Sequence, residues 1–376
     1  MTTIGASGVA GDIPASDWVP ILVGLALILG ALLFLIARSA TSPEFRTGLT
    51  LGLRGLLGKE LRSRSRGWRP MWLLTGYLAA LTLAIAGFLA LIGRAGGTLS
   101  PTIGTWLFSA LAVGSVLLLA FITPALTVGS VSGERERRTL DLLLVTRASA
   151  LGLVGGKLLG ALFYVLFLLA ASLPAFAVVY LFGGVPPLYL LMVVAVAVVT
   201  ALAHASLGLL LSALVRRTIV ATVLAYLVVI GLVFGVPFVS AVVGLASMSR
   251  SGGAPGAGAP PIYLYASPLV SLTSVLPAAM PGMSIDLVRV FLGGGISQPA
   301  VQQATVSMVR TVHVVAFNPI TGQSETATTW APWVYHFLLS GGFTLFCIFV
   351  AALALAPVKP WRAWRARRRR PAMSSG

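Results

Sequence analysis

The chain has 376 residues, of which 57% are hydrophobic and 9% are charged, and its formal net charge is +17. A soluble domain carries charge on about a quarter of its residues, so a chain of this length and composition could not cover a soluble surface. The basic residues lie between apolar stretches and none interleaves with an aromatic RNA-binding pattern, which argues against nucleic-acid binding. The composition therefore predicts a membrane protein with several spans.

Seven apolar stretches are long enough to cross a bilayer as helices, which takes about 20 residues. They are residues 20–37, 71–93, 105–127, 158–182, 188–214, 218–245 and 332–356, and none contains Asp, Glu, Lys or Arg. Because every backbone amide in lipid must be bonded internally, the predicted fold is all-α. The first stretch is preceded by Asp12 and Asp17 and followed by Arg38, which favours a retained anchor over a cleaved signal peptide.

The distribution of Lys and Arg predicts the orientation, since these residues are enriched in cytoplasmic loops. With residue 1 outside, the cytoplasmic stretches are 38–70, 128–157, 215–217 and 357–376. They hold all of the 26 basic residues except Arg94, Arg250, Arg289 and Arg310. The predicted topology has the N-terminus outside and the C-terminus in the cytoplasm. All eight tryptophans fall at predicted span ends, where their rings prefer to lie.

The first cytoplasmic segment contains a basic amphipathic stretch. Between residues 45 and 66, leucines recur at three- and four-residue steps, which is the spacing of one helix face. Its polar positions include Arg54, Lys59, Arg62 and Arg66. A helix of this kind lies in the plane of the membrane surface and is attracted to anionic lipid. The alternative is a solvated linker, which the leucine stripe disfavours.

The second cytoplasmic segment changes abruptly from mixed charge to an apolar run that is too short to span. Its residues include Glu134, Arg135, Glu136, Arg137, Arg138, Thr139, Leu140, Asp141 and Leu143. Thr139 can cap a short helix, and Asp141 would lie near the positive end of the helix dipole. Such a helix could dock in a groove of a soluble partner. The alternative is a loop that packs against the base of the bundle itself.

This segment resembles the cytoplasmic signature of ABC transporter permeases of the ABC-2 type. The family pattern is roughly Glu-basic-Glu-x-Gly-Thr-Leu-Glu-x-Leu-Leu-x-x-Pro-x-Ser, with Gly-Lys opening the next span. The matching residues are Glu134, Glu136, Thr139, Leu140, Leu143, Ser149, Gly156 and Lys157. Asp141 replaces the usual Glu, Arg138 the usual Gly and Arg147 the usual Pro.

The resemblance extends over residues 55–356 in the order of elements and implies a six-span permease bundle, to which an N-terminal span is added. It divides the chain into an external N-terminus with the extra span (1–38), a membrane-surface elbow (39–70), five spans (71–245) with a coupling helix near 134–149, an extracellular segment with a surface or re-entrant helix (246–331), the last span (332–356) and a basic tail (357–376). Residues 246–331 include β-branched runs such as Thr311–Val315, and their fold is not assigned.

The resemblance also implies a function. The chain would be the permease subunit of an ABC transporter in the cytoplasmic membrane, with export expected. A separate ATPase subunit would dock on the coupling residues, which are Glu134, Arg135, Glu136, Arg137, Arg138, Thr139, Leu140, Asp141 and Leu143. A second permease subunit, identical or not, would complete the transport path within the lipid bilayer.

The sequence lacks a motif for ATP hydrolysis. Walker A requires Gly, four residues, then Gly-Lys-Ser/Thr, and neither Gly58-Lys59 nor Gly156-Lys157 has the earlier Gly or the following hydroxyl residue. ATP and magnesium are therefore expected on the partner subunit, and no cofactor or metal on this chain. The spans also lack buried acids and bases of the kind used by ion-coupled carriers. The alternatives are an ATP-independent carrier or channel, a membrane enzyme or assembly factor, and a permease-like regulator.

Two histidines lie within predicted spans, His204 and His336. No carboxylate pairs with either at helical spacing, so we interpret them as packing or hydrogen-bonding groups rather than as catalytic or substrate-binding residues.

Overall fold

The computed structural model describes residues 68–94, 101–138, 150–250, 262–273, 275–276, 312–317, 324–329 and 332–355. The predicted extra span, the elbow with Arg54, Lys59, Arg62 and Arg66, and the basic tail lie outside the described residues. Residues 139–149 also lie outside them, and with them Thr139, Leu140, Asp141 and Leu143 of the predicted coupling helix.

The described residues form mainly helices. In chain order they are α1 (Trp68–Arg94), α2 (Pro101–Thr127), α3 (Gly129–Glu136), α4 (Ala150–Phe182), α5 (Pro187–Leu214), α6 (Thr218–Ile230), a π-helix (Gly231–Gly235), α7 (Val236–Arg250), a 3-10 helix (Ile262–Ala266), α8 (Pro268–Thr273), strands β1 (Val312–Phe317) and β2 (Ser324–Thr329), and α9 (Pro332–Leu355).

Six helical runs are long and apolar enough to cross a membrane. They are Pro70–Arg94, Ile103–Glu136, Ala150–Phe182, Pro187–Leu214, Thr218–Val243 and Pro332–Leu355. Each overlaps one of the last six spans predicted from the sequence, so the prediction of a six-span helical membrane bundle is confirmed. Several boundaries differ from the predicted ones by a few residues. The start of α4 matters most, since this helix begins at Ala150 rather than at residue 158, which places Lys157 inside it.

Helix α5 lies at the centre of the bundle, where it packs against α2, α4, α6 and α9. In its most apolar stretch, 67% of the residues are buried, whereas in that of α1, at the periphery, 11% are buried. Small residues allow this dense packing. At Gly208, a Cβ would come within 3.0 Å of the Pro124 carbonyl oxygen and would also overlap the Thr127 hydroxyl. The backbones of α2 and α5 therefore approach each other closely at this glycine.

The short segment formed by the 3-10 helix and α8 packs among the spans. Leu264 and Leu272 are fully buried, and the segment contacts α2, α5 and α9. The Ser267 hydroxyl donates a hydrogen bond of 3.1 Å to the Val233 carbonyl in the π-helix. The segment is therefore part of the helix packing, and whether it is a surface or a re-entrant element stays a prediction.

The two span histidines make different hydrogen bonds. His336 Nδ1 is 3.0 Å from the Tyr265 carbonyl, and His204 Nδ1 is 2.7 Å from the carbonyl of Thr200, one turn earlier in the same helix α5. Because a carbonyl only accepts, Nδ1 is the donor in both rings. Nε2 of neutral His336 then accepts from the Thr200 hydroxyl at 3.0 Å. His336 thus links α9 to the 3-10 helix and to α5, whereas His204 bonds within its own helix.

The strands form a hairpin that the all-α prediction did not include. They pair antiparallel, with Val312 opposite Thr329 and Phe317 opposite Ser324. The β-branched run at Thr311–Val315 falls largely on β1, as the strand preference of such residues favours.

Candidate functional site

Helix α3 follows α2 with only Val128 between them. Val128 keeps helical backbone angles, with φ −61° and ψ −32°, and its N–H donates to the Pro124 carbonyl at 2.9 Å. Polar side chains bond to nearby carbonyls: the Ser130 hydroxyl donates to the Thr127 carbonyl at 2.6 Å, and the Ser132 hydroxyl to the Val128 carbonyl at 3.0 Å. Helix α3 is therefore an almost continuous extension of the second span.

The first turn of α3 is bonded to the end of α5. The backbone N–H groups of Val131 and Ser132 donate to Ser212 Oγ at 3.0 and 2.9 Å. N–H groups in the first turn of a helix need partners of this kind. The Ser212 hydroxyl also lies 3.3 Å from Ser132 Oγ. All three residues are buried, so this contact is part of the packed interior.

A buried ion pair joins α3 to α4. Lys157 Nζ lies 2.7 Å from Glu134 Oε1, and the side chains are 3% and 25% exposed. The same ammonium group donates to the Ser130 carbonyl at 2.7 Å. Burying a charge is costly unless it is paired and hydrogen-bonded. These contacts explain how α4 accommodates a lysine that the sequence analysis placed just outside the span.

The next two residues of α3 bond to the ends of neighbouring helices. The Arg135 guanidinium donates to the Ala213 carbonyl at 3.1 Å and to the Val215 carbonyl at 3.5 Å, at the C-terminus of α5. Glu136 Oε1 accepts from the Thr218 N–H at 2.7 Å, at the N-terminus of α6. A cation at a helix C-terminus and an anion at an N-terminus are both favourable for the helix dipole. Helix α3 therefore caps α5 and α6 together.

Beyond these contacts, α3 ends in exposed arginines. Arg137 and Arg138 follow the helix and are both exposed. Arg138 has a φ of 57°, the left-handed conformation in which many helices end, usually at glycine. This is the position at which the ABC-2 pattern has Gly, and the backbone conformation gives a physical reason for that preference.

The described part of the predicted coupling segment contains two kinds of residue: three that bond within the bundle, and two arginines that are exposed. Glu134, Arg135 and Glu136 bond to the bundle's own helices, as in the alternative of a segment packed against the base. Sequence reasoning missed Ser212 and Thr218, which lie about 80 positions away along the chain. It also missed the role of Lys157, although a lone lysine at the start of an apolar run signals a need for a nearby anion. Within the described residues, no cluster of His, Cys, Asp and Glu could hold a metal ion.

Comparison with known families decides the class. The family model described as ABC-2 family transporter protein matches residues 100–356, which is more than half of the chain. The chain belongs to this family. No curated protein sequence matches it. The matched region runs from α2 to α9 and includes α3, so the resemblance read from the residues around Glu134 is confirmed.

As an ABC-2 family member, the chain is a multi-pass membrane protein and a membrane permease of an ABC transporter. Permeases of this family generally work with an ATPase subunit, and the chain is a transport subunit rather than an enzyme. Helix α3 lies inside the matched region, beside the segment in which the sequence predicts the coupling helix.

Proposed function

We propose that this chain is the membrane-spanning subunit of an ATP-driven exporter, and that a separate ATPase subunit moves the spans through α3 and the residues that follow it. The observation that carries the proposal is the attachment of α3 to three helices. Lys157 of α4, Ser212 of α5 and Thr218 of α6 each bond to it. A displacement of α3 would move these helix ends together, which is what a rigid-body change of access requires.

The energy for this displacement would come from another chain. The sequence has no Walker A motif, so ATP and magnesium would bind on the ATPase subunit. Residues 139–149 would complete the docking element, with Thr139, Leu140, Asp141 and Leu143 as its contact residues. A second permease subunit, identical or not, would form the other wall of the path.

The proposed membrane topology brings the ATPase to the correct side. The spans would lie in the cytoplasmic membrane. With the N-terminus outside and the C-terminus in the cytoplasm, the α3 end of the bundle would face the cytoplasm. The elbow residues Arg54, Lys59, Arg62 and Arg66 would then lie against the same membrane surface. Export is the direction that the family resemblance favours.

The test is whether the chain controls an ATPase through α3. The tagged full chain is purified, the copurifying P-loop protein is identified, and ATP hydrolysis by that protein is measured with and without the chain in lipid nanodiscs. Ser212→Ala removes the acceptor for two α3 N–H groups. We expect it to reduce the chain's effect on hydrolysis severalfold without dissociating the complex.

Ser115→Ala is the matched control, because Ser115 is a buried serine of α2 whose hydroxyl bonds within its own helix, to the Ala112 carbonyl. It should leave hydrolysis unchanged. If no P-loop protein copurifies, or if its hydrolysis is the same with and without the chain, the chain is an ATP-independent carrier or a non-transporting assembly factor. Reversing the charge of Glu134 or Glu136 would be a poorer test, since each already bonds within the bundle.

A further inference from the structure

Two pairs of exposed arginines lie side by side at the α3 end of the bundle. Arg137 and Arg138 follow α3, and Arg216 and Arg217 form the turn between α5 and α6. The bond from the Thr218 N–H to Glu136 Oε1, 2.7 Å long, joins the last side chain of α3 to the first residue of α6 beside both pairs. We refer to these four residues as the arginine surface.

The carboxylates near the arginine surface bond elsewhere. Glu134 is paired with Lys157, which is almost fully buried, and Glu136 holds the N-terminus of α6. Arg135 donates to backbone carbonyls and Glu136 accepts from a backbone N–H, so both keep their charges, and the arginines outnumber this one exposed carboxylate. Among the described residues at this end, the charge presented outward is therefore strongly positive.

The arginine surface lies far enough along the bundle to meet a soluble protein. The run Ile103–Glu136 has 34 residues, which corresponds to a length of about 50 Å at about 1.5 Å per residue. A bilayer with its headgroups is about 40–45 Å thick. In the proposed topology, α2 begins at the outer surface, beside the turn after α4 where Gly104 approaches Gly183, so a run of this length would extend beyond the inner headgroups.

We infer that the arginine surface is a docking site for an acidic surface of the ATPase subunit, and that the α5–α6 turn is a second contact element beside the coupling segment. This inference rests on the proposed function and specifies the chemistry of its partner. Arginine suits the task because its planar guanidinium bonds carboxylates in a bidentate manner. The internal bonds of α3 contribute by fixing the two arginine pairs in one arrangement before the partner binds.

The experiment measures binding of the separately purified ATPase to the full chain in nanodiscs, over a range of salt concentrations. The variant Arg216→Glu/Arg217→Glu reverses the pair that no sequence pattern assigns to coupling. We expect its affinity at low salt to fall at least about tenfold, and the salt dependence of binding to become weaker, because opposed like charges disfavour association. Arg94→Glu, an exposed charge reversal at the end of α1, is the control and should bind like the unaltered chain.

The outcomes separate this inference from the proposed function. If the unaltered chain binds no ATPase, the proposed function fails and the inference fails with it. If the ATPase binds the double variant as it binds the unaltered chain, the inference is overturned while the proposed function stands. Loss of bound anionic lipid from the double variant, with ATPase affinity retained, would assign the surface to lipid headgroups and also overturn it.

A milder variant covers the case in which charge reversal prevents folding. Arg216→Gln/Arg217→Gln should give a smaller loss in the same direction, and a photo-crosslinking residue at position 217 should form a product with the ATPase. Absence of both effects in a folded chain would contradict the inference.

Discussion

The ion pair between Lys157 and Glu134 gives the sharpest test of how α3 is held. Replacing either residue by Met removes one charge and keeps a side chain of similar length. Breaking a buried pair by removing one partner costs about 3–5 kcal/mol, because the remaining charge is left uncompensated. The two single variants should lower the free energy of unfolding by different amounts, since the lysine is 3% exposed and the glutamate is 25% exposed.

Glu134→Met is expected to be the more damaging single change. It leaves the Lys157 ammonium buried, with the Ser130 carbonyl at 2.7 Å as its remaining partner among the described residues, so the cost should lie within the range for a buried pair, at about 4 kcal/mol. After Lys157→Met, the carboxylate is already partly exposed and can turn toward water, so the cost should be about 2 kcal/mol. The double variant leaves no buried charge and should lie within about 1–2 kcal/mol of the unaltered chain.

The assay is the free energy of unfolding in bicelles, measured by steric trapping with labels on α3 and α4 and analysed as a double-mutant cycle. A coupling free energy of at least about 2 kcal/mol is expected between the two positions. Arg137→Met is the matched control, since it removes an exposed charge next to the end of the same helix. If the effects of the two single changes simply add, or if Lys157→Met costs more than Glu134→Met, the burial argument is wrong.

Three further changes test the packing of the bundle, each by its unfolding free energy. His336→Leu removes the acceptor of the Thr200 hydroxyl and one of two donors to the Tyr265 carbonyl, which should lower the free energy of unfolding by about 1–3 kcal/mol. A loss below about 0.5 kcal/mol would show that the bridge is unimportant. Gly208→Val should destabilise the chain by more than about 2 kcal/mol, and Gly208→Ala by less, because a Cβ there meets the α2 backbone. If both variants were as stable as the unaltered chain, the close approach of α2 and α5 would be disproved. Arg138→Gly should stabilise the chain by up to about 1 kcal/mol by relieving its positive φ, and any loss would contradict the strain.

The spans could be predicted because their signal is local. A bilayer imposes length and apolarity on consecutive residues, so six runs of the right composition became six helices. The start of α4 could not be predicted in the same way. A lysine at position 157 looks like the edge of a span, and only Glu134, which lies 23 positions earlier and approaches it to 2.7 Å, makes its burial possible. The histidines were correctly interpreted as hydrogen-bonding groups, but their partners were not identifiable from sequence spacing.

The orientation of the acidic residues in α3 shows why the site itself was harder to predict. A carboxylate beside a span has two kinds of partner: a soluble subunit, or a cation or helix N-terminus of its own bundle. The charge pattern of the sequence does not distinguish these, because the N-terminus of α6 comes some 80 residues later. Once Lys157 and the α6 N-terminus bind Glu134 and Glu136, most of the exposed charges at this end of the described residues are arginines. The acidic residues near a coupling segment can therefore fix its position while the basic ones select what binds to it.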